Sequence, residues 1–175
     1  MRLIYLPTFW TILLDCLAWA LLQTGVAALS IFIPLRYLNP YRKIFLPAEW
    51  EDGGDVYQRW FRIRSWKAKV PSWAAIFGKR GFRLDYLEST EPAYLDRWVR
   101  ESCRSEICHW AAMLPAGLFF LWNKPVIAWF MVAYALIFNL PLVILQRYNR
   151  PKVMRLLVKR RNLEVLPSPD GAQDL

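Results

Sequence analysis

The sequence predicts an all-α integral membrane fold, with about three transmembrane helices and amphipathic interfacial helices on the cytoplasmic side. Three observations predict it. Of 175 residues, 56% are hydrophobic, against about 45–50% in an ordinary soluble domain. The formal net charge is nonetheless +9. The apolar residues are gathered into three runs, and nearly all the cations lie on one side of them. The length suits one membrane domain over residues 1–175. Ten Trp, ten Phe and eight Tyr exclude a disordered chain. Cys16, Cys103 and Cys108 are too few and too scattered for a disulfide framework.

The first run, Phe9 to Ile33, carries one charge, Asp15. It exceeds the roughly 20 residues that cross a bilayer, and only Arg2 precedes it, so it reads as a retained span rather than a signal peptide. The second run covers residues 106–122 and the third 125–145, with Asn123, Lys124 and Pro125 as the turn of an antiparallel hairpin. Pro115 and Pro141 lie inside these spans, where a kink is tolerated if neighbours satisfy the freed carbonyl. The second run is short, so a two-span alternative with a re-entrant hairpin stays open. Of the 23 Lys and Arg, 14 fall between Arg36 and Arg104 and seven after Gln146. The positive-inside rule puts both segments in the cytoplasm, with the N-terminus outside. The protein is therefore expected in the cell membrane, multi-pass, with a basic cytoplasmic tail from 146.

The cytoplasmic segment 34–105 is not a solvated linker, because Trp50, Trp60, Phe61, Trp66, Trp73, Phe77, Phe82 and Trp98 run through it. Around Trp66, rings alternate with Arg59, Arg62, Arg64, Lys67 and Lys69. That composition fits a headgroup-level anchor or a site for a phosphate-bearing ligand. Three apolar runs argue against nucleic acid as the partner. Gly53, Gly54, Gly78 and Gly81 form no nucleotide fingerprint. From Glu91 to Trp110 a helical period returns, with Leu95, Trp98, Val99, Ser102, Cys103, Glu106 and His109 on one face, Pro92 early in the helix and Thr90 as its cap.

His109 is the single histidine, and Glu106 precedes it by one helical turn. A carboxylate on one imidazole nitrogen leaves the other as a general base near neutral pH, so these two are the candidate catalytic pair. A satisfied interfacial histidine, or a Glu106–Arg104 ion pair, is the competing reading. One histidine supplies too few ligands for a metal site, and none is expected. Ser102 and Ser105 lie on the helix of His109 itself, and no nucleophile elbow exists, which disfavours a serine mechanism. The third run ends in Gln146, Arg147, Tyr148, Asn149 and Arg150, then Pro151 interrupts it. An anchor needs only cations, whereas arginine forks among amides and a phenol suit a phosphate or carboxylate. Asn139, a polar group within the third span, is expected to bond another helix or line the site. Asp15 is expected to pair with one of the arginines.

Three blocks then resemble the glycosyl-4,4'-diaponeurosporenoate acyltransferase family of membrane enzymes. They are Arg59-Trp60-Phe61 with Arg64, Trp66, Lys67 and Lys69; Arg104-Ser105-Glu106-Ile107-Cys108-His109-Trp110 with Leu114-Pro115; and Asn139-Leu140-Pro141 leading to Gln146 through Lys152. The likeness spans roughly Leu29 to Arg161, and departs at Ala68 and Ser72, where the family carries acidic residues. It implies transfer of a fatty acyl group, from acyl-CoA or another activated donor, onto a hydroxyl of a glycosylated lipid or carotenoid. His109 held by Glu106 would be the base. Arg104, Trp110, Asn139, Gln146, Arg147, Tyr148, Asn149, Arg150, Arg64, Trp66 and Lys67 would contact substrate. Beyond acyl-CoA as co-substrate, no cofactor is implied. A non-catalytic subunit of a lipid-synthesis complex and a membrane methyltransferase are the alternatives.

Overall fold

The computed structural model describes residues 2–70 and 82–165. Ser72, Trp73, Phe77, Gly78, Gly81 and the end of the basic tail lie outside the described residues. Those described are helical or irregular, with no strand among them. The helices are α1 (Thr8–Ile31), α2 (Asp55–Phe61), α3 (Ile63–Trp66), α4 (Pro92–Met113) and α5 (Pro125–Val165), and a 3-10 helix, Leu114–Leu121, joins α4 to the last turn before α5. Two helices are long and apolar enough to cross a membrane, α1 and Pro125–Leu163 of α5.

α1 is apolar on every side, and Asp15 is its one buried residue. Phe9, Trp10, Leu17, Leu21 and Leu29 remain exposed, so its outer surface is apolar along its length. Five polar or aromatic ties hold it antiparallel to α4 and the 3-10 helix that follows. The Asp15 carboxylate accepts from Trp122 Nε1 and Asn123 Nδ2, each at 2.7 Å. Trp19 stacks on Phe119 with ring centroids 4.8 Å apart. Gln23 Nε2 donates to the Ala112 carbonyl at 3.3 Å, and Arg104 donates to the Ile33 carbonyl at 2.8 Å. Asp15 therefore binds the hairpin turn, not an arginine. The arginines lie at the other end of the bundle.

α4 begins with Pro92 at its first position, and its N-cap is Glu91, without a side-chain cap bond. Thr90 does not cap it. The expected face is buried: Leu95, Trp98, Val99, Ser102, Cys103 and Glu106 all point inward. The second apolar run is not one continuous α-helix, because the coil tightens to 3-10 at Leu114–Leu121. Pro115 has no N–H for the 3-10 bond to Ala112, and Gln23 takes up that carbonyl instead. The tighter coil rises about 2.0 Å per residue against about 1.5 Å, so a short run covers more depth.

α5 corrects the expected boundary at Leu145. It continues through Pro141 and Pro151 to Val165, a length of 41 residues, or about 62 Å. An internal proline costs about 3 kcal/mol in an isolated helix. Here packing offsets it, since Leu95, Trp98 and Val99 close on Val153 and Leu157 beyond Pro151. The Arg147 carbonyl, which Pro151 leaves without its helical donor, faces Gly54 of the Glu49–Gly54 turn. A Cβ at Gly54 would lie 2.9 Å from that oxygen and 3.1 Å from Tyr148 Cα, and its φ is +94°. Glycine alone fits this contact. Segment 34–69 thus packs against the half of the α4–α5 hairpin remote from its turn. Leu38 and Phe45 pack beside Cys103, and Val56, Tyr57 and Ile63 pack around Tyr148.

Candidate active site

His109 and Asn139 meet where α4 and α5 cross. His109 Nδ1 lies 3.0 Å from Asn139 Oδ1, and Asn139 Nδ2 donates to the Ala135 carbonyl at 3.0 Å. The second bond orients the amide, so its oxygen faces the ring. An amide oxygen only accepts, so Nδ1 carries the proton, and in the neutral ring the lone pair is on Nε2. Asn139 is buried and His109 half-buried. The expected Glu106–His109 pairing is replaced by this one.

Glu106 is engaged elsewhere. Arg147 Nε donates to its Oε1 at 2.8 Å, and Arg150 Nη2 to its Oε2 at 2.5 Å. Arg147 also reaches Glu51 at 2.9 and 3.1 Å and the Ile44 carbonyl at 2.7 Å. Arg150, fully buried, adds Ser102 Oγ, the Ser102 carbonyl and the Phe45 carbonyl. Two carboxylates and two guanidiniums balance to zero charge, which is the condition for burying them. Both arginine forks are thus turned into the protein, and neither presents a free face to an anion. Glu51 also accepts from the Tyr57 hydroxyl and the Ala48 N–H. Burial and that carboxylate push the Tyr57 phenol well above its ordinary range, keeping it a donor.

The other expected residues divide. Arg104 is tied to Glu101 at 2.7 Å, and burial pushes the Glu101 carboxyl up against the pull of that arginine. Trp110 is exposed on α4. Gln146 is buried with its Oε1 unpartnered among the described residues, and Asn149 is half-buried. Arg64, Trp66, Lys67 and Tyr148 do come together. Arg64 Nε donates to the Tyr148 hydroxyl at 3.2 Å, Trp66 packs on the cluster around Tyr148, and Lys67 Nζ is 5.8 Å from the Tyr148 ring centre. They do so on the far side of α5, because nine residues separate Asn139 from Tyr148, about two and a half turns.

Glu51, Tyr57 and Ser102 were missed as members of the polar network. One signal existed: Glu49, Glu51, Asp52 and Asp55 are an acidic run inside an otherwise basic segment. Among the described residues, no group of three His, Cys, Asp or Glu is placed to hold a metal ion.

Comparison with known proteins adds to this geometry. A family described as glycosyl-4,4'-diaponeurosporenoate acyltransferase matches residues 41–159, which include Glu51, His109, Asn139 and Arg150. The chain belongs to that family. Proteins named glycosyl-4,4'-diaponeurosporenoate acyltransferase from Staphylococcus aureus strains MRSA252 and USA300 are 31% identical over 147 residues, 82% of this chain and 87% of theirs. The N315 protein is 30% identical over 145 residues, with the same coverage. No solved structure matches. Membership makes the chain an enzyme, an acyltransferase, and sets aside the subunit and methyltransferase readings.

Proposed function

We propose that the chain moves a fatty acyl group from acyl-CoA to a hydroxyl of a glycosylated membrane lipid or carotenoid, with His109 as the general base. The observation that carries this is the Asn139–His109 bond, which places the lone pair of the neutral ring on Nε2, unengaged among the described residues. The relatives' names supply the acyl transfer and the glycosylated carotenoid. Nε2 takes the acceptor's hydroxyl proton as its oxygen forms a bond to the thioester carbonyl carbon. The oxyanion collapses, the C–S bond breaks, and the imidazolium returns the proton to the leaving thiolate. Glu106, Arg147, Arg150 and Glu51 hold α4, α5 and the Glu49–Gly54 turn in register around the base.

The proposed topology has three passes, α1, the run 106–122 and the first part of α5, with the N-terminus outside and the arginine network at the cytoplasmic face. Over 106–122, eight residues of α-helix and eight of 3-10 helix rise roughly 28 Å, close to the hydrocarbon thickness of about 30 Å.

The test uses the purified full chain in lipid nanodiscs with labelled acyl-CoA and a glycosylated carotenoid acceptor. His109→Ala is expected to lower kcat by about 10²–10⁴ while the protein stays folded. Asn139→Ala, which frees the ring to change tautomer, is expected to lower it by less. Wild-type turnover in His109→Ala with both substrates saturating ends the base assignment.

A further inference from the structure

Resting on the acyl-transfer reading, we propose that the side of α5 turned away from His109 binds the donor's phosphate through Arg64, Lys67 and Tyr148. The Tyr148 ring is buried, so its hydroxyl is held in place. It accepts from Arg64 Nε at 3.2 Å, and its own proton has no acceptor among the described residues. That bond uses one donor of Arg64 and leaves both terminal amino groups of the fork. Arg64 and Lys67 are exposed, and neither meets a carboxylate among the described residues. Lys152 Nζ sits 3.2 Å from the ring centre and is paired with Asp55 at 3.0 Å. Arg155 and Lys159 follow Tyr148 and Lys152 on the same helical stripe. A planar fork, a point charge and a hydroxyl converge here, with Asp55 engaged by Lys152, and match the oxygens of a phosphate ester.

Depth separates the two sources of such a phosphate. With α5 entering at Pro125, Tyr148 lies about 35 Å along the axis, past the hydrocarbon and at headgroup level. Asn139 and His109 lie about 14 Å deeper. A donor held at Tyr148 and reacting at His109 needs a long arm between phosphate and acyl carbonyl. A nucleotide thioester has one. A glycerophospholipid carries its ester just beneath its phosphate.

The experiment titrates free coenzyme A onto the full chain in phosphatidylcholine nanodiscs, for wild type and for the Arg64→Ala/Lys67→Ala double variant. Both side chains are exposed, so the variant is expected to elute and unfold as wild type does. Coenzyme A affinity is expected to fall about tenfold or more, to weaken with salt in wild type, and to recover in part with Arg64→Lys in place of Arg64→Ala. In turnover, the KM for acyl-CoA rises while kcat holds. A second arm replaces phosphatidylcholine with phosphatidylglycerol. If only the response to that lipid is lost in the double variant, the phosphate is a headgroup's. If neither coenzyme A affinity nor the phosphatidylglycerol response changes, the proposal is overturned. Repeating the titration in His109→Ala separates the two readings, because binding at Tyr148 does not depend on the base.

Discussion

On the side of α5 that faces α4, Arg147 and Arg150 are surrounded by Glu51, Glu106, Ser102 and backbone carbonyls, and no fork is left open. On the side that faces α2 and α3, Arg64 and Lys67 stand exposed over Tyr148 with donors unused. The same residue types serve opposite ends. Burial decides which. A desolvated guanidinium has to be neutralised in place, whereas an exposed one stays hydrated at little cost and is free to exchange water for an anion. Arginine in the sequence therefore says nothing of its role until its solvent is known.

The largest test of this contrast is on the closed side. Glu106→Ala leaves Arg150 buried without its carboxylate partner, and is expected to cost about 3–5 kcal/mol of stability. Thermal unfolding in nanodiscs measures it, with Arg64→Ala as the comparison expected to leave the midpoint unchanged. Equal loss in both variants would erase the distinction between the two sides. Next comes the contact that holds them together. Gly54→Ala meets backbone of α5 at 2.9 Å in a left-handed conformation, and is expected to cost about 1–3 kcal/mol. Proteolysis between α2 and α4 should rise with it.

The smallest effect is on the open side. The Lys152 ammonium beside Asp55 holds that carboxyl below the usual carboxylate range. A lowered folded value stabilises the pair above the ordinary pKa, and the contribution is lost as pH falls through the depressed value. Lys152 is therefore masked at neutral pH. Asp55→Asn is expected to unmask it and tighten coenzyme A binding at pH 7 by about two- to threefold. Unchanged affinity would place Lys152 outside the phosphate site.

The helical stripe of α4 was legible because burial follows the 3.6-residue period: Leu95, Trp98, Val99, Ser102 and Glu106 are inward as the spacing required. The partners of Glu106 were not. A period assigns a residue to a face, and the face of α4 that holds Glu106 and His109 meets partners 30 to 44 residues away on α5. His109 found Asn139 there, and Glu106 found Arg147 and Arg150. Glu51 was harder still, since it sits in an irregular turn where no period exists. Pro151 misled in the other direction. Its local rule says a helix ends, and tertiary packing on Val153 and Leu157 overrules it.

The sequence by itself determined the helical class, the hairpin turn at Asn123 to Pro125, the inward stripe of α4 and the gathering of cations outside the apolar runs. These follow from hydrophobic spacing and charge count, which are local or additive. Only the tertiary structure decided which cations are enclosed and which are open. It also decided which group orients the histidine. Those depend on which surfaces touch, and contact sets both solvent exposure and hydrogen-bond partner.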